Sequence, residues 1–357
     1  MSKINVIPHA IISNKKILVY NELDGYIRTA NKTSWNSFNC DTDTYKGILS
    51  KSAKKNIRNI VQCWVNCLEA KKYVSRKSKD WMSYKMTFCT LTLPAQQFHS
   101  DKEIKRDMLN RFLIELKRKK ETKSNLWVAE KQKNQNIHFH LLFEKFIEWQ
   151  EIRKIWNNIL KSNGYIEQYK INQEKFHSNG FKIRQDLVNK WSPEKQYNAY
   201  MYGVQSKWEN PNTTDIHSLI KIENIENYIT KYICKSIDED VKNALDKVDK
   251  KNISEEEFKE IKNQTIKDLA AKYSINGAIW SKSENLLKLC KCNLHVGSEL
   301  EGILYENQYN KKIKKIDNEN YTIHIGNTLK ELKTKCPNTY KQYLEVQNEN
   351  YKIIYNT

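Results

Sequence analysis

The chain has 357 residues, with Lys+Arg 61 against Asp+Glu 42 and a formal net charge of +19. Its 9 Gly and 5 Pro exclude a collagen-like or Gly/Pro-rich low-complexity chain, and no run approaches the roughly 18 consecutive apolar residues of a transmembrane span. A hydrophobic share of 39% supports a core, the length suggests two or three domains, and the positive surplus favours a polyanionic partner, most often nucleic acid.

The opening MSKINVIPHAIISNKKILVY breaks its apolar stretches with His9 and Lys15–Lys16 and offers no small-residue cleavage site. No signal peptide is expected, and the default compartment is the cytoplasm. Residues 1–44 carry no clear hydrophobic period. From Lys51 to Tyr73, apolar residues at three- and four-residue steps (Ile57, Ile60, Val61, Trp64, Leu68) predict a basic helix, followed by the charged connector SRKSKD. Met86–Leu93 is rich in β-formers and stops at Pro94, which predicts a strand. Ser100-Asp-Lys-Glu103 has the spacing of a capping box and opens a helix to about Lys120, with Ile104, Met108, Phe112 and Leu116 facing in. Asn125–Glu130 and Ile137–Phe143 read as strands around the polar turn KQKNQN. A helix over about 148–161 follows, then a long excursion over 162–212 with one short helix near 194–201. Thr213–Ile220 reads as a strand, Glu223–Ser236 as a helix, and Ile253-Ser-Glu-Glu-Glu257 as the cap of another. The tail from about Asn293 alternates Lys-rich and aromatic segments. There is no repeat and no GxxxxGK[ST] loop, and the eight cysteines lack the paired CxxC spacing of a zinc ribbon, so reduced thiols are expected.

Ile137-His138-Phe139-His140-Leu141-Leu142-Phe143 alternates with period two, so His138 and His140 share one strand face and Ile137, Phe139, Leu141 and Phe143 the other. The apolar face is expected to pack on helices and the histidine face to be open. Two imidazoles so spaced can converge on one cation. If the hairpin pairs residues whose numbers sum to 268, Glu130 lies opposite His138 and Val128 opposite His140. A carboxylate beside two imidazoles makes a facial site with open positions, suited to Mg²⁺ or Mn²⁺. Asp215 and His217, same-face neighbours on the preceding strand, are the alternatives for the third ligand. His177, in the excursion, is assigned no role.

A second chemical feature is Tyr228-Ile229-Thr230-Lys231-Tyr232-Ile233-Cys234-Lys235. At about 100° per residue, Tyr228, Tyr232, Lys231 and Lys235 fall within one stripe about 100° wide, apart from the apolar stripe of Ile222, Ile225, Ile229 and Ile233. A tyrosine with pKa near 10 is phenolate in roughly one molecule per thousand at pH 7. A lysine one turn from each tyrosine favours the anion, as a tyrosine nucleophile requires.

Taken together, FCTLTLP (88–94), WVAEKQKNQNIHFHLL (127–142) and YITKYICK (228–235), in this order, resemble the motifs of the HUH (His-hydrophobe-His) endonucleases. Among these the chain is similar to the two-tyrosine rolling-circle replication initiators of single-stranded DNA bacteriophages, the microvirus gene A type. NPNTTDIHSLIKI (210–222) and GAIWSKSENL (277–286) also look like that family, so the resemblance covers about residues 45–290. It implies an α+β fold: a central antiparallel sheet of about five strands with metal on one face and the tyrosine helix laid across it. The expected division is a partly helical basic extension over 1–80, the endonuclease domain over 81–290 and an extension over 291–357, the extensions being mostly helical. Neither 1–44 nor 291–357 matches a known module, and no appended helicase is seen.

The resemblance further implies site-specific nicking of single-stranded origin DNA. A metal on His138, His140 and Glu130 would polarise the phosphate, and Tyr228 or Tyr232 would form a 5′-phosphotyrosine, assisted by Lys231 and Lys235. Strand transfer and rejoining would follow without ATP, with a helicase and a DNA polymerase as partners and no membrane. Three rivals are weighed. A two-tyrosine transposase tends to carry a cysteine-rich zinc module, which residues 1–80 lack. A conjugative relaxase places its tyrosine before the histidines. A non-catalytic DNA-binding protein on the same fold would have lost histidines or tyrosines that are all present here.

Overall fold

The computed structural model describes residues 6–13, 16–23, 49–74, 81–219, 244–246, 254–310, 313–315, 321–325 and 328–355. In chain order these form strands β1 (Val6–Ser13) and β2 (Lys16–Leu23), helix α1 (Lys51–Cys67), and strands β3 (Lys71–Val74), β4 (Trp81–Tyr84) and β5 (Met86–Leu91). Helix α2 (Asp101–Glu103) runs through a π-helical stretch (Ile104–Leu109) into α3 (Asn110–Lys120). Strands β6 (Asn125–Lys131) and β7 (Ile137–Phe143) precede helices α4 (Trp149–Ser162), α5 (Tyr165–Phe176) and α6 (Pro193–Gln205). Then come β8 (Thr214–Leu219), α7 (Glu255–Lys272), β9 (Trp280–Lys282), β10 (Asn293–His295) and α8 (Ser298–Tyr309). Strands β11 (Ile313–Lys315) and β12 (Tyr321–Ile325) and helices α9 (Thr328–Lys335) and α10 (Pro337–Tyr355) complete them. No described helix is long and apolar enough to cross a membrane.

The chain divides into two compact units: residues 1–44, 52–69 and 283–357 in one, 45–51 and 70–282 in the other. The first corrects the expectation of mostly helical extensions, because the chain's two ends share an antiparallel sheet of order β10-β1-β2-β12-β11. Its core holds Ala10, Ile12, Ile17, Leu294, Leu300, Ile303 and Leu332. Helix α1 ends six residues earlier than the apolar spacing predicts. Lys71–Val74 instead pair with Trp81–Tyr84, and a β ladder takes their backbone groups where a helix would have continued. Cys63, Cys67, Cys89, Cys290, Cys292 and Cys336 are free thiols, and burial pushes the Cys292 thiol up to about 12.

The second unit contains the HxH strand, and its architecture is the expected α+β one. Its five-stranded sheet has order β8-β5-β7-β6-β9 with every pairing antiparallel. All six residues of β5 and all seven of β7 are buried, as central strands with both faces covered must be. One face presents Cys89, Leu91, Trp127, Ala129, Phe139 and Leu141 to the helices. Against it pack Ile104, Met108, Phe112 and Leu116, a stripe at four-residue steps. Such a stripe drifts around an α-helix, and the π-helical stretch turns it back, because a π turn holds more than four residues. The capping boxes at Ser100/Glu103 and Ser254/Glu257 both form. The excursion holds α5 besides the longer-than-expected α6.

Asp101 ties three parts of this unit together. Its carboxylate accepts from Lys131 Nζ at 2.6 Å, Gln97 Nε2 at 2.8 Å and the Asn276 N–H at 3.3 Å. Burial works to raise its pKa, but these donors, Lys131 foremost, outweigh burial and hold the carboxyl below its usual range. A depressed folded-state pKa means that the pair stabilises the fold above the unfolded value of about 3.9 and loses that contribution as pH falls through the folded value. Asp101→Asn is expected to cost about 3 kcal/mol at pH 7, because Lys131 is left buried without its counter-charge. Thermal melts of both proteins at pH 7 and pH 3 check this: the gap between them should shrink in acid.

Candidate metal centre

Pairing of β6 with β7 aligns Glu130 with His138 and Val128 with His140, the register whose residue numbers sum to 268. On β5 the partner of His140 is Thr90. Alternation then places Phe88, Thr90, Leu126, Val128, Glu130, His138, His140 and Leu142 on one face. Within it, one ligand atom from each of Glu130, His138 and His140 lies within 4.8 Å of the other two. His140 Nε2 stands 3.0 Å from Glu130 Oε1, and the two imidazole centroids are 4.6 Å apart at 77°. Side-chain rotations of under an ångström bring these donors onto one ion with bonds of about 2.0–2.2 Å. Two neutral imidazoles and a carboxylate are a donor set for a divalent cation with positions left open.

The surroundings fix this geometry. Thr90 Oγ1 lies 3.3 Å from His140 Nδ1, which leaves Nε2 directed at Glu130. Phe88 stacks on the other side of the ring, 5.5 Å away at 22°. Asp215 and His217 are not part of the group. They sit on β8, beyond β5, and bond to each other at 2.9 Å.

The histidine face is also not open, as the alternation of one strand had suggested. His138 and His140 are 8% and 3% exposed, and Phe88, Leu126, Val128 and Leu142 around them are buried as well. Neighbouring strands make this face nearly as apolar as the helix-covered one, and only the Glu130 side retains appreciable exposure, 31% of its side chain.

Three nearby residues were missed from the sequence. Thr90 was invisible as a partner of His140 because nothing local couples residues fifty apart. Trp280 and Lys282 join the metal face through the short strand β9, where Trp280 pairs with Val128 and Lys282 with Leu126. The Lys282 ammonium lies 4.6 Å from the Trp280 ring centroid, and burial lowers its pKa. Tyr228, Lys231, Tyr232 and Lys235 lie outside the described residues.

Residues 86–237 match the protein family described as replication-associated protein ORF2, a span of less than half the chain that includes the candidate ligands and the YxxxY motif. No curated protein matches. Among solved structures the chain is similar to the non-structural protein 1 N-terminal origin-recognition/nickase domain from the emerging human bocavirus. That match has 11% identity and a TM-score of 0.19, covers 46% of this chain and 78% of that one, and at such a score carries no argument.

Proposed function

We propose that the chain is a metal-dependent, site-specific single-strand DNA nickase and rejoining enzyme that initiates rolling-circle replication, of the two-tyrosine HUH kind. The observation that carries this reading is the convergence of Glu130, His138 and His140 inside the segment that matches a replication-associated family. The formal charge of +19 supports a nucleic-acid substrate, since each neutralised phosphate releases counterions.

Glu130, His138 and His140 hold Mg²⁺ or Mn²⁺, which when bound supplies charge neutralisation at the scissile phosphate. Thr90 keeps the His140 ring oriented, and Phe88 excludes water from one side of it. Tyr228 or Tyr232 attacks phosphorus: a tyrosine O–P bond forms, the bond to the 3′ oxygen breaks, and the tyrosine proton ends on the released 3′-OH. Lys231 and Lys235 stabilise the phenolate and the phosphate charge. Because bond energy is retained in the phosphotyrosine, the reverse attack rejoins strands without ATP. A free 3′-OH can prime a polymerase, and the strand ahead is opened by a separate helicase.

The test uses the purified full chain and a random pool of single-stranded oligonucleotides labelled at the 3′ end. A labelled covalent adduct should form with Mn²⁺ or Mg²⁺ and vanish in EDTA. No adduct with any metal, or one indifferent to EDTA, would overturn the reading. Thr90→Val should weaken Mn²⁺ binding roughly 10–100-fold, read by calorimetric titration, because the His140 ring loses the partner of its Nδ1.

A further inference from the structure

We infer that the helical excursion between α4 and β8 carries a seat for one unstacked nucleotide of the DNA strand, next to the metal centre. This rests on the nickase reading. The seat is a cavity of about 540 Å³, within the range of small-molecule sites of about 300–1,000 Å³. An excursion of this kind, serving only to pack, would fill its interior with aliphatic side chains. Here the interior is walled by rings and amides and left unfilled.

The aromatic wall is built around His177. Its ring is parallel to Trp208, 5.4 Å between centroids at 5°, while Tyr200 leans on it at 4.7 Å and Phe181 lies 6.4 Å away at 11°. Trp208 is held in place by backbone that side-chain-bearing residues rarely adopt: Lys207 and Trp208 have φ of 52° and 58°. That turn folds the indole back onto α6 at Gly203, where any Cβ would collide with the ring. Strained backbone of this sort recurs where a side chain is positioned for a ligand.

Charge supplies the second, independent argument. Arg153, Lys182 and Arg184 line the cavity, and no Asp or Glu does. Arg184 is engaged by Asp186. Arg153 is not: its guanidinium bonds to the side chains of Asn212 and Thr214 and stacks 4.3 Å from the Trp149 ring, with no carboxylate partner among the described residues. Lys182 likewise has no acidic partner among them and sits 5.4 Å from the Phe176 ring. A half-buried guanidinium without a counter-ion beside a ring platform fits a phosphate with its base, the combination by which single strands are held. Gln173 lines the same space and offers an amide to a base edge.

Its position gives the seat a role. Thr92 lines the cavity two residues beyond Thr90, the partner of His140, and its N–H and hydroxyl both donate to the Thr213 carbonyl. Arg153 reaches Thr214, whose strand partner is Leu91. The cavity floor is therefore the end of the same two strands that carry the metal face. A nucleotide held there is adjacent, or next but one, to the phosphate being cut, and helps choose where the cut falls.

The test places 2-aminopurine at successive positions of a cleaved oligonucleotide and follows its fluorescence on binding to the full chain in EDTA. Quenching should peak at one position within two nucleotides of the cut. Trp208→Leu and His177→Ala should each remove it and weaken binding roughly 10-fold, and an abasic residue at that position should do the same to the wild type. Arg153→Gln, which leaves the rings in place, should weaken binding while the quench persists at saturation. Uniform quenching along the strand, or variants that bind and cut like the wild type, would overturn the seat while the nickase reading stands. Quenching as expected with no adduct formed in metal would support the seat and sink the nickase reading. Free dAMP binding the wild type more tightly than the oligonucleotide would assign the cavity to a mononucleotide and overturn its role in the strand.

Discussion

His138→Ala and His140→Ala each lower the rate of adduct formation by roughly 1,000-fold or more, while single-strand binding stays within about twofold of wild type. The rate falls because two of three cation donors converge from β7, and losing either removes charge neutralisation where the transition state needs it. Binding survives because it draws on a surface with nineteen surplus positive charges, of which neither histidine is part. Both rings are buried in a central strand, so truncation also leaves a cavity. His140→Gln, which keeps the volume, separates the two effects: it should melt near the wild-type temperature and still fail to form adduct. Glu130→Ala should lose less, since its carboxylate is the most exposed of the three donors. A histidine variant that cuts at the wild-type rate with unchanged EDTA sensitivity removes the metal assignment. Normal Mn²⁺ affinity in Glu130→Ala moves the third ligand elsewhere.

The double variant Tyr228→Phe/Tyr232→Phe yields no covalent adduct at all, whereas either single Phe variant retains some. Four residues on a helix separate the two hydroxyls by about 6 Å along the axis, close enough to reach one phosphate in turn. Each single variant should therefore nick a short oligonucleotide but stall in assays that demand two successive transfers, leaving unreleased or multimeric strands. Full inactivity of Tyr228→Phe beside wild-type behaviour of Tyr232→Phe, termination included, would reduce the enzyme to one tyrosine. Adduct formation in the double variant would place the nucleophile outside the YxxxY motif.

What the sequence made legible was local or strictly periodic. IHFHLLF could be assigned faces because period two is unambiguous, and Glu130 followed once a single register number was fixed. Ser100/Glu103 and Ser254/Glu257 were readable because a capping box is complete within four residues. Illegible were the features whose partners lie far away. β1 shows no period because its neighbours are β2 and residues 293–295, and a strand with Pro8 and His9 in it reads as loop. The histidine face looked open because one strand was judged alone, while Phe88, Leu126 and Val128, which bury it, come from two others. The cavity around His177 and Trp208 went unseen for the same reason: rings thirty-one residues apart stack only once α5 and α6 have folded back.

The sheet shared by the chain's two ends has a consequence for synthesis. β1 and β2 leave the ribosome first, yet their outer edges are completed by β10 and β12, about 270 and 300 residues later. At about 5–20 residues per second, the hairpin spends roughly 15–60 s with Ala10, Leu18 and Val19 in strands whose outer ladders are unfilled, the condition in which strands pair with the wrong chain. Within that interval every residue of 45–51 and 70–282 has been made, so the unit bearing the metal centre can close on its own. The terminal unit is thus a clasp fastened last, and ribosome stalling in the final fifty codons would release chains with a finished catalytic unit and an open, adhesive hairpin.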